Sequence, residues 1–308
     1  MKKGIGVGIE DFREVIREDC YYFDKTNYIE ELIKDKTKIK LFTRPRRFGK
    51  TLNMSTLKYF FDVKNAEENR KLFKDLYIEK SEYFKEQGQY PVIFITLKDL
   101  KKNTWKEMNF EIKELLRNLY DEFNFIRDTL SISDLREFDK IWLKEEDANY
   151  DSSLLNLTKY LYNYYKKEVV LLIDEYDSPL ITANQRGYYK DSINFFRNFL
   201  SLALKTNSYL KMGVLTGIVQ VAKEGIFSGL NNIRTYNILG DKFETFFGLT
   251  EEEVEEALKY FEMIYEIEEV KRWYDGYKFG NSEVYNPWSI INYLADRGLQ
   301  AYWVNTSD

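Results

Sequence analysis

The 308 residues contain no histidine. That absence removes imidazole general bases, Ser-His and Cys-His nucleophile pairs and most zinc sites together, and it leaves proton transfer to carboxylates, lysines and tyrosines. Cysteine is nearly absent as well. Cys20 alone cannot build a disulfide framework, which fits a reducing compartment. No segment approaches the ~20 apolar residues of a membrane span, and the N-terminal lysines meet Glu10 and Asp11 before a signal-like stretch develops. The expectation is a soluble, cytoplasmic protein with no membrane partner. A basic surplus is missing too: 46 Lys and Arg stand against 51 Asp and Glu, a formal charge of -5. Nucleic acid as a partner is therefore weakly supported and must rest on a local patch, the longest basic run being residues 44–47.

What is present is enough apolar material, 44% of residues, for one large core or a core with a smaller companion. The aromatics, 17% of the chain, are spread along it rather than gathered in one box, as packing residues are. KIKLFT (38–43) alternates and then turns apolar, as a buried strand does, and TLNMSTLKYFF (51–61) places Leu52, Met54, Leu57, Phe60 and Phe61 at helical spacing. YPVIFITL (90–97) reads as a second strand. Residues 105–165, without glycine or proline, read as several helices. EVVLLI (168–173) is the unbroken apolar run of a parallel strand covered on both faces. A helix over 192–204, a strand over 210–216 and a last strand near 236–239 complete an α/β pattern with a parallel sheet. After Gly240 the character changes: Thr250 and Glu253 form a capping box, Gly280-Asn281 marks a hairpin, and Pro287 opens a helix. The predicted division is a core over 1–240 and a small helical lid subdomain over 241–308.

Between the first strand and its helix lies TRPRRFGKT (43–51), the context a phosphate-binding loop requires. A bare GKT is weak evidence, but here a second apolar strand downstream ends in Asp174-Glu175, and the joint pattern is far more specific. In the functional reading Arg44, Arg46, Arg47, Phe48, Gly49, Lys50, Thr51 and Leu52 bind the nucleotide. Lys50 reaches the β- and γ-phosphates, Thr51 and Asp174 hold Mg²⁺, and Glu175 polarises the attacking water. Thr216, ending a strand before Gly217, is either a sensor of the γ-phosphate or a strand-end cap. Arg44 stands where such loops carry glycine, and Pro45 both confines it to extended conformations and removes an N–H. The three arginines either assist phosphate or hold the loop to neighbouring carboxylates. Asp177 supports the acidic turn or faces solvent. The N-terminal GxGxG (4–8) follows no strand, so it is no dinucleotide fingerprint and reads instead as a segment wrapping onto the nucleotide site.

GIEDF (8–12), YFDKT (22–26), RPRRFGKT (44–51), IDEYD (173–177), LTG (215–217), SGLNN (228–232), YDGY (274–277) and YNP (285–287) together resemble the AAA-ATPase-like family of P-loop ATPases. The resemblance covers nearly the whole chain. It implies an additional-strand P-loop fold with a helical lid, ATP and Mg²⁺ as ligands, and an arginine in place of the first loop glycine as the family rule. Family members commonly continue into a PD-(D/E)XK nuclease-like domain, and this sequence stops at AYWVNTSD (301–308), so no nuclease is expected in it.

The resulting expectation is Mg²⁺-dependent nucleoside-triphosphate hydrolysis, most simply of ATP, driving a conformational switch. Its rival is a nucleotide-gated regulatory or interaction module with negligible turnover, and Glu175 favours the first because a pure binding module needs no carboxylate beside the metal ligand. Trp273, Tyr277 and Trp288 read as lid core rather than adenine contacts. Arg186, Arg197 and Arg234 are candidate lid or trans arginines, and a second copy of the chain or another protein stays open as a partner.

Overall fold

The computed structural model describes residues 2–219, 232–264 and 267–304. Most of the SGLNN motif and the last four residues lie outside that range. In chain order the elements are α1 (Phe12–Arg17), α2 (Asn27–Lys34), β1 (Ile39–Thr43), α3 (Lys50–Phe61), α4 (Ala66–Lys71), β2 (Val92–Thr96), α5 (Trp105–Glu122), α6 (Ile132–Trp142), α7 (Ser153–Tyr165) and β3 (Val169–Asp174). They continue with α8 (Ser178–Arg186), α9 (Tyr189–Leu204), β4 (Leu210–Gly217), β5 (Ile233–Tyr236), α10 (Glu251–Tyr260), α11 (Ile267–Tyr274), β6 (Tyr277–Phe279), β7 (Ser282–Val284) and α12 (Pro287–Asp296).

Five strands form one parallel sheet in the order β2-β3-β4-β1-β5. Strand β4 is thus inserted between β1, which leads into the 43–51 loop, and β3, which ends in Asp174. The fold is α/β of the additional-strand P-loop type. The period-2 side-chain alternation sorts the strands' apolar residues onto two faces. Ile39, Leu41, Leu171, Ile173 and Leu215 join the core under α5, α6, α7 and α9, while Phe42, Val170, Leu172, Met212 and Val214 join the one under α2 and α3. Because all strands run the same way, the C-terminal ends of β1, β3 and β4 share one edge of the sheet, where ligands of open α/β sheets bind.

The elements after the sheet gather around a third core that includes Leu249, Val254, Leu258, Val270, Tyr285, Ile290 and Leu294. Helix α10 begins with the capping box: Thr250 Oγ1 accepts from Glu253 N, and Glu253 Oε2 accepts from Thr250 N at 2.8 Å. Thr250→Ala is expected to lower stability by about 1 kcal/mol, read as a shift of the urea midpoint at unchanged m. The β6-β7 hairpin turns at Gly280-Asn281, where Gly280 takes φ 54 and a Cβ would sit 2.1 Å from Glu244 Oε2.

Two local expectations are corrected. The last strand is Ile233–Tyr236 rather than a run near 236–239. The Asn237 side chain accepts the Leu239 N–H at 3.0 Å, an Asx-type turn that ends pairing and leaves Leu239 83% exposed. Helix α8 was not anticipated, and α9 starts at Tyr189 rather than 192. The signals were present, with Pro179 in the first turn of α8 and Gly187 past its end at φ 83.

Candidate nucleotide site

The loop is assembled from both ends. Strand β1 delivers Thr43, and Arg44 N donates to Gly217 O at 3.0 Å, fastening the loop's start to the end of β4. Arg47 and Gly49 then take φ 65 and 70, and helix α3 begins at Lys50 with Gly49 as its cap. Alternating left-handed residues before a helix let successive N–H groups converge, and the first-turn N–H groups of α3 have no intrahelical acceptor. Gly49 has open space where a Cβ would stand, so its φ is what demands glycine.

Arg44, assigned to the nucleotide from the sequence, is tied to the protein backbone here. Its guanidinium is fully buried, with Nη1 donating to Thr43 O at 2.9 Å and to Tyr236 O at 2.7 Å, and Nη2 donating to Phe243 O at 3.0 Å. It also lies 5.1 Å from the Phe247 ring centre and 5.3 Å from that of Phe279. The partners are backbone carbonyls, not the carboxylates of the other reading. Burial pushes its pKa down to about 10, still charged at neutral pH. In place of a glycine that lets the loop turn, the chain has a five-donor fork tying the loop's base to the exit of β5.

The other loop side chains divide. Arg46 is exposed. Arg47 stacks on Trp288 of α12 with its guanidinium carbon 4.0 Å from the ring centre. Phe48, fully buried, packs against Phe279 and Val284 of the hairpin, 4.9 Å from the Tyr277 ring and 5.1 Å from that of Phe279. Two consecutive loop residues therefore contact the elements that follow the sheet. Leu52 is half-buried and faces, with Gly6, Ile9, Tyr22 and Phe23, a largely apolar cavity of about 70 Å³ beside Phe48 and Gly49.

Lys50 is 6% exposed, and its ammonium donates to Pro45 O at 2.8 Å and Arg44 O at 3.2 Å. Burial lowers its pKa, and Glu175, Asp174 and Asp177 oppose the shift. Asp174, fully buried, accepts from two hydroxyls: Thr51 Oγ1 donates to Oδ2 at 2.8 Å, and Thr216 Oγ1 donates to Oδ1. Glu175 follows in the left-handed region at φ 51, its N–H donating to Thr216 Oγ1 at 3.4 Å. Burial and the Asp174 carboxylate raise its pKa. Lys50, Thr51, Asp174, Glu175 and Thr216, drawn from three strand ends, are thus brought together.

Asp177 does not face solvent. It is 1% exposed, and Oδ2 accepts from Ile218 N and Val219 N, both at 2.8 Å. Tyr176 OH donates to Val219 O at 2.8 Å, so the turn after β3 clamps the chain leaving β4. Gly217 is required there by close approach, since a Cβ would stand 2.6 Å from Tyr176 Cε1. Sequence reasoning missed this clamp because its partners lie 41 and 42 positions downstream. Among the candidate trans arginines, Arg186 and Arg234 are exposed and Arg197 is half-buried.

No group of three or more Cys, Asp or Glu suited to a metal occurs among the described residues, and no described helix is long and apolar enough to cross a membrane. A family model described as "Predicted AAA-ATPase" matches residues 6–227. The chain is 26% identical over 307 residues to an "Uncharacterized protein in vnfD 5'region" of Azotobacter chroococcum mcd 1, a match covering 99% of this chain and 54% of that protein. The chain thus spans about half the length of that relative. No solved structure matches it significantly. With the family match extending over four of the five strands of the sheet and every residue of the loop and of the Asp174-Glu175 turn, the chain belongs to the predicted AAA-ATPase family.

Proposed function

We propose that the chain binds a nucleoside triphosphate, ATP in the first instance, together with Mg²⁺, and hydrolyses it, cycling between conformations as it does so. The observation that carries this reading is the convergence on Asp174: hydroxyls from the first turn of α3 and from the end of β4 meet one buried carboxylate beside the Lys50 ammonium. Lys50 leaves the carbonyls of Arg44 and Pro45 for the β- and γ-phosphates. The amides of residues 46–51 surround the phosphate at the helix N-terminus. Water attacks the γ-phosphorus as the bond to the β-γ bridging oxygen breaks, and Glu175 accepts the water's proton. Thr216 holds Asp174 and is placed to feel the attacking water.

The donor set suits Mg²⁺, a hard cation commonly held by one or two protein oxygens plus phosphates. Thr51 Oγ1 and Asp174 would hold it, and when bound it neutralises charge developing on the β- and γ-oxygens. The local charge argues the same way. Asp174, Glu175 and Asp177 all act on Lys50, and a divalent cation would offset their repulsion of a triphosphate.

The residues after 240 are proposed as the lid. Arg47 on Trp288 and Phe48 on Phe279 give it a direct hold on the loop. The apolar cavity beside Leu52 is assigned to the base. At about 70 Å³ it admits a purine only if its walls part. Lys50→Ala is expected to weaken ATP binding about 10- to 100-fold, the worth of a charge-assisted phosphate contact. Equilibrium dialysis with Mg-ATP measures it, and unchanged affinity removes Lys50 from the phosphate site.

A further inference from the structure

At the opposite edge of the sheet the structure holds a second cavity, of about 560 Å³, within the size range of small-molecule sites. Strand β1 connects it to the loop: Lys40 precedes Thr43 by three residues, about 10 Å of strand. Its walls come from α2, residues 35–40 leading into β1, the end of α3, the 82–86 turn, Glu168 just before β3 and the first residues of β4.

Lys40 is 1% exposed, on the same face of β1 as Phe42, and belongs to no part of the nucleotide site. A lysine ammonium carries three donors, and a buried cation destabilises the fold unless it is paired. The hydrogen bond found for Lys40 Nζ goes to a carbonyl, Thr37 O. The carboxylate nearest in sequence, Asp35, is already engaged, accepting from Tyr236 OH at 2.6 Å, Thr37 N at 2.8 Å and Lys242 Nζ at 3.3 Å. Burial lowers the Lys40 pKa to about 8, which leaves the group mostly charged at neutral pH.

The surroundings carry an excess of the same sign in a chain that is acidic overall. Lys36, Lys38, Lys85 and Lys211 line the cavity with Lys40, against Asp35, Glu86 and Glu168. Two of those carboxylates are held by tyrosines, Asp35 by Tyr236 and Glu86 by Tyr90. Lys38 donates to a backbone oxygen, Asn207 O at 3.2 Å, and Lys211 lies 5.1 Å from the centre of the Tyr90 ring.

We propose that this cavity binds a small polyanion, a di- or tricarboxylate or a phosphorylated compound, with the Lys40 ammonium as its central contact and the lysines of the rim completing the charge match. The site stands apart from the nucleotide reading and does not depend on it.

Calorimetric titration of the full chain at fixed ionic strength tests this, with citrate as the carboxylate probe and inorganic pyrophosphate as the phosphate probe. Saturable binding of one probe that survives Lys50→Ala and weakens at least tenfold in Lys40→Met supports the site. Citrate binding assigns the carboxylate source, and pyrophosphate binding alone assigns the phosphate source. Should Lys40→Met fail to fold, the rim pair Lys85→Glu and Lys211→Glu, made on exposed residues, is expected to weaken binding at least tenfold instead. Binding of neither probe to the wild-type chain, or an affinity unchanged by these substitutions, overturns the proposal.

Discussion

A Glu175→Gln chain is expected to retain ATP while its steady-state phosphate release falls by about two to three orders of magnitude, the range a positioned general base supplies. The substitution keeps the side chain's size and its place after β3 and removes only its capacity to take a proton. Lys50, Thr51 and Asp174 are untouched, so binding is retained. Position 175 is costly to keep: a non-glycine residue at φ 51 lies in a sparsely used region, and burial beside Asp174 disfavours its charged form. The turn that holds it is fixed by its next two side chains, which engage Ile218 and Val219. Phosphate release and retained nucleotide after gel filtration measure the two halves of the prediction. Turnover equal to wild type removes Glu175 as base, and absence of turnover in wild type with ATP still bound favours the nucleotide-gated module.

Arg44→Gly, which restores the residue most phosphate loops carry there, is expected to damage the protein rather than improve it. Three hydrogen bonds from one buried cation to the carbonyls of Thr43, Tyr236 and Phe243 are lost together. Those acceptors are left inside the protein, and net contributions of about 1 to 3 kcal/mol for each charged hydrogen bond put the loss at about 3 kcal/mol or more. In a chain of this size that is a fall in Tm of about 5 °C or more. Arg44→Lys is expected to recover little, because a single ammonium cannot reproduce a fork bridging two chain segments. Arg46→Ala, on an exposed side chain, is expected to leave Tm near wild type. Thermal unfolding followed by circular dichroism reads the series. An Arg44→Gly chain with wild-type Tm and weakened ATP binding would return Arg44 to the phosphate.

The contrast between these two positions explains what was legible from residues alone. Strand, loop and helix around Lys50 were readable because periodicity and glycine placement are local. The run ending in Asp174 was readable because a parallel strand covered on both faces is apolar throughout. The insertion of β4 between β1 and β3 follows from no local signal; only the family resemblance as a whole implied an additional strand. The hold of Arg44 on the backbone was not legible for a physical reason: two of its carbonyl partners lie 192 and 199 positions away, and backbone acceptors carry no side-chain signature. Asp177, read as supporting the acidic turn or facing solvent, does the first, through backbone N–H donors of Ile218 and Val219 that no local pattern named. Phe48 read as one more residue of a phosphate loop, whereas its ring belongs to a cluster with Phe279 and Val284. KIKLFT read as a buried strand with no role given to Lys40, and β1 does lie inside the sheet, between β4 and β5.

The central claim is that residues 43–51 form a phosphate cradle whose first arginine is a structural brace. A crystal structure of the full chain with Mg²⁺ and a non-hydrolysable ATP analogue tests it most directly. The account predicts the β- and γ-phosphates against the amides of residues 46–51, the Lys50 ammonium moved from Arg44 O and Pro45 O onto phosphate oxygens, and the Arg44 guanidinium still on Tyr236 O and Phe243 O. Phosphates bound away from those amides, or Arg44 withdrawn from its carbonyls to meet them, would contradict it.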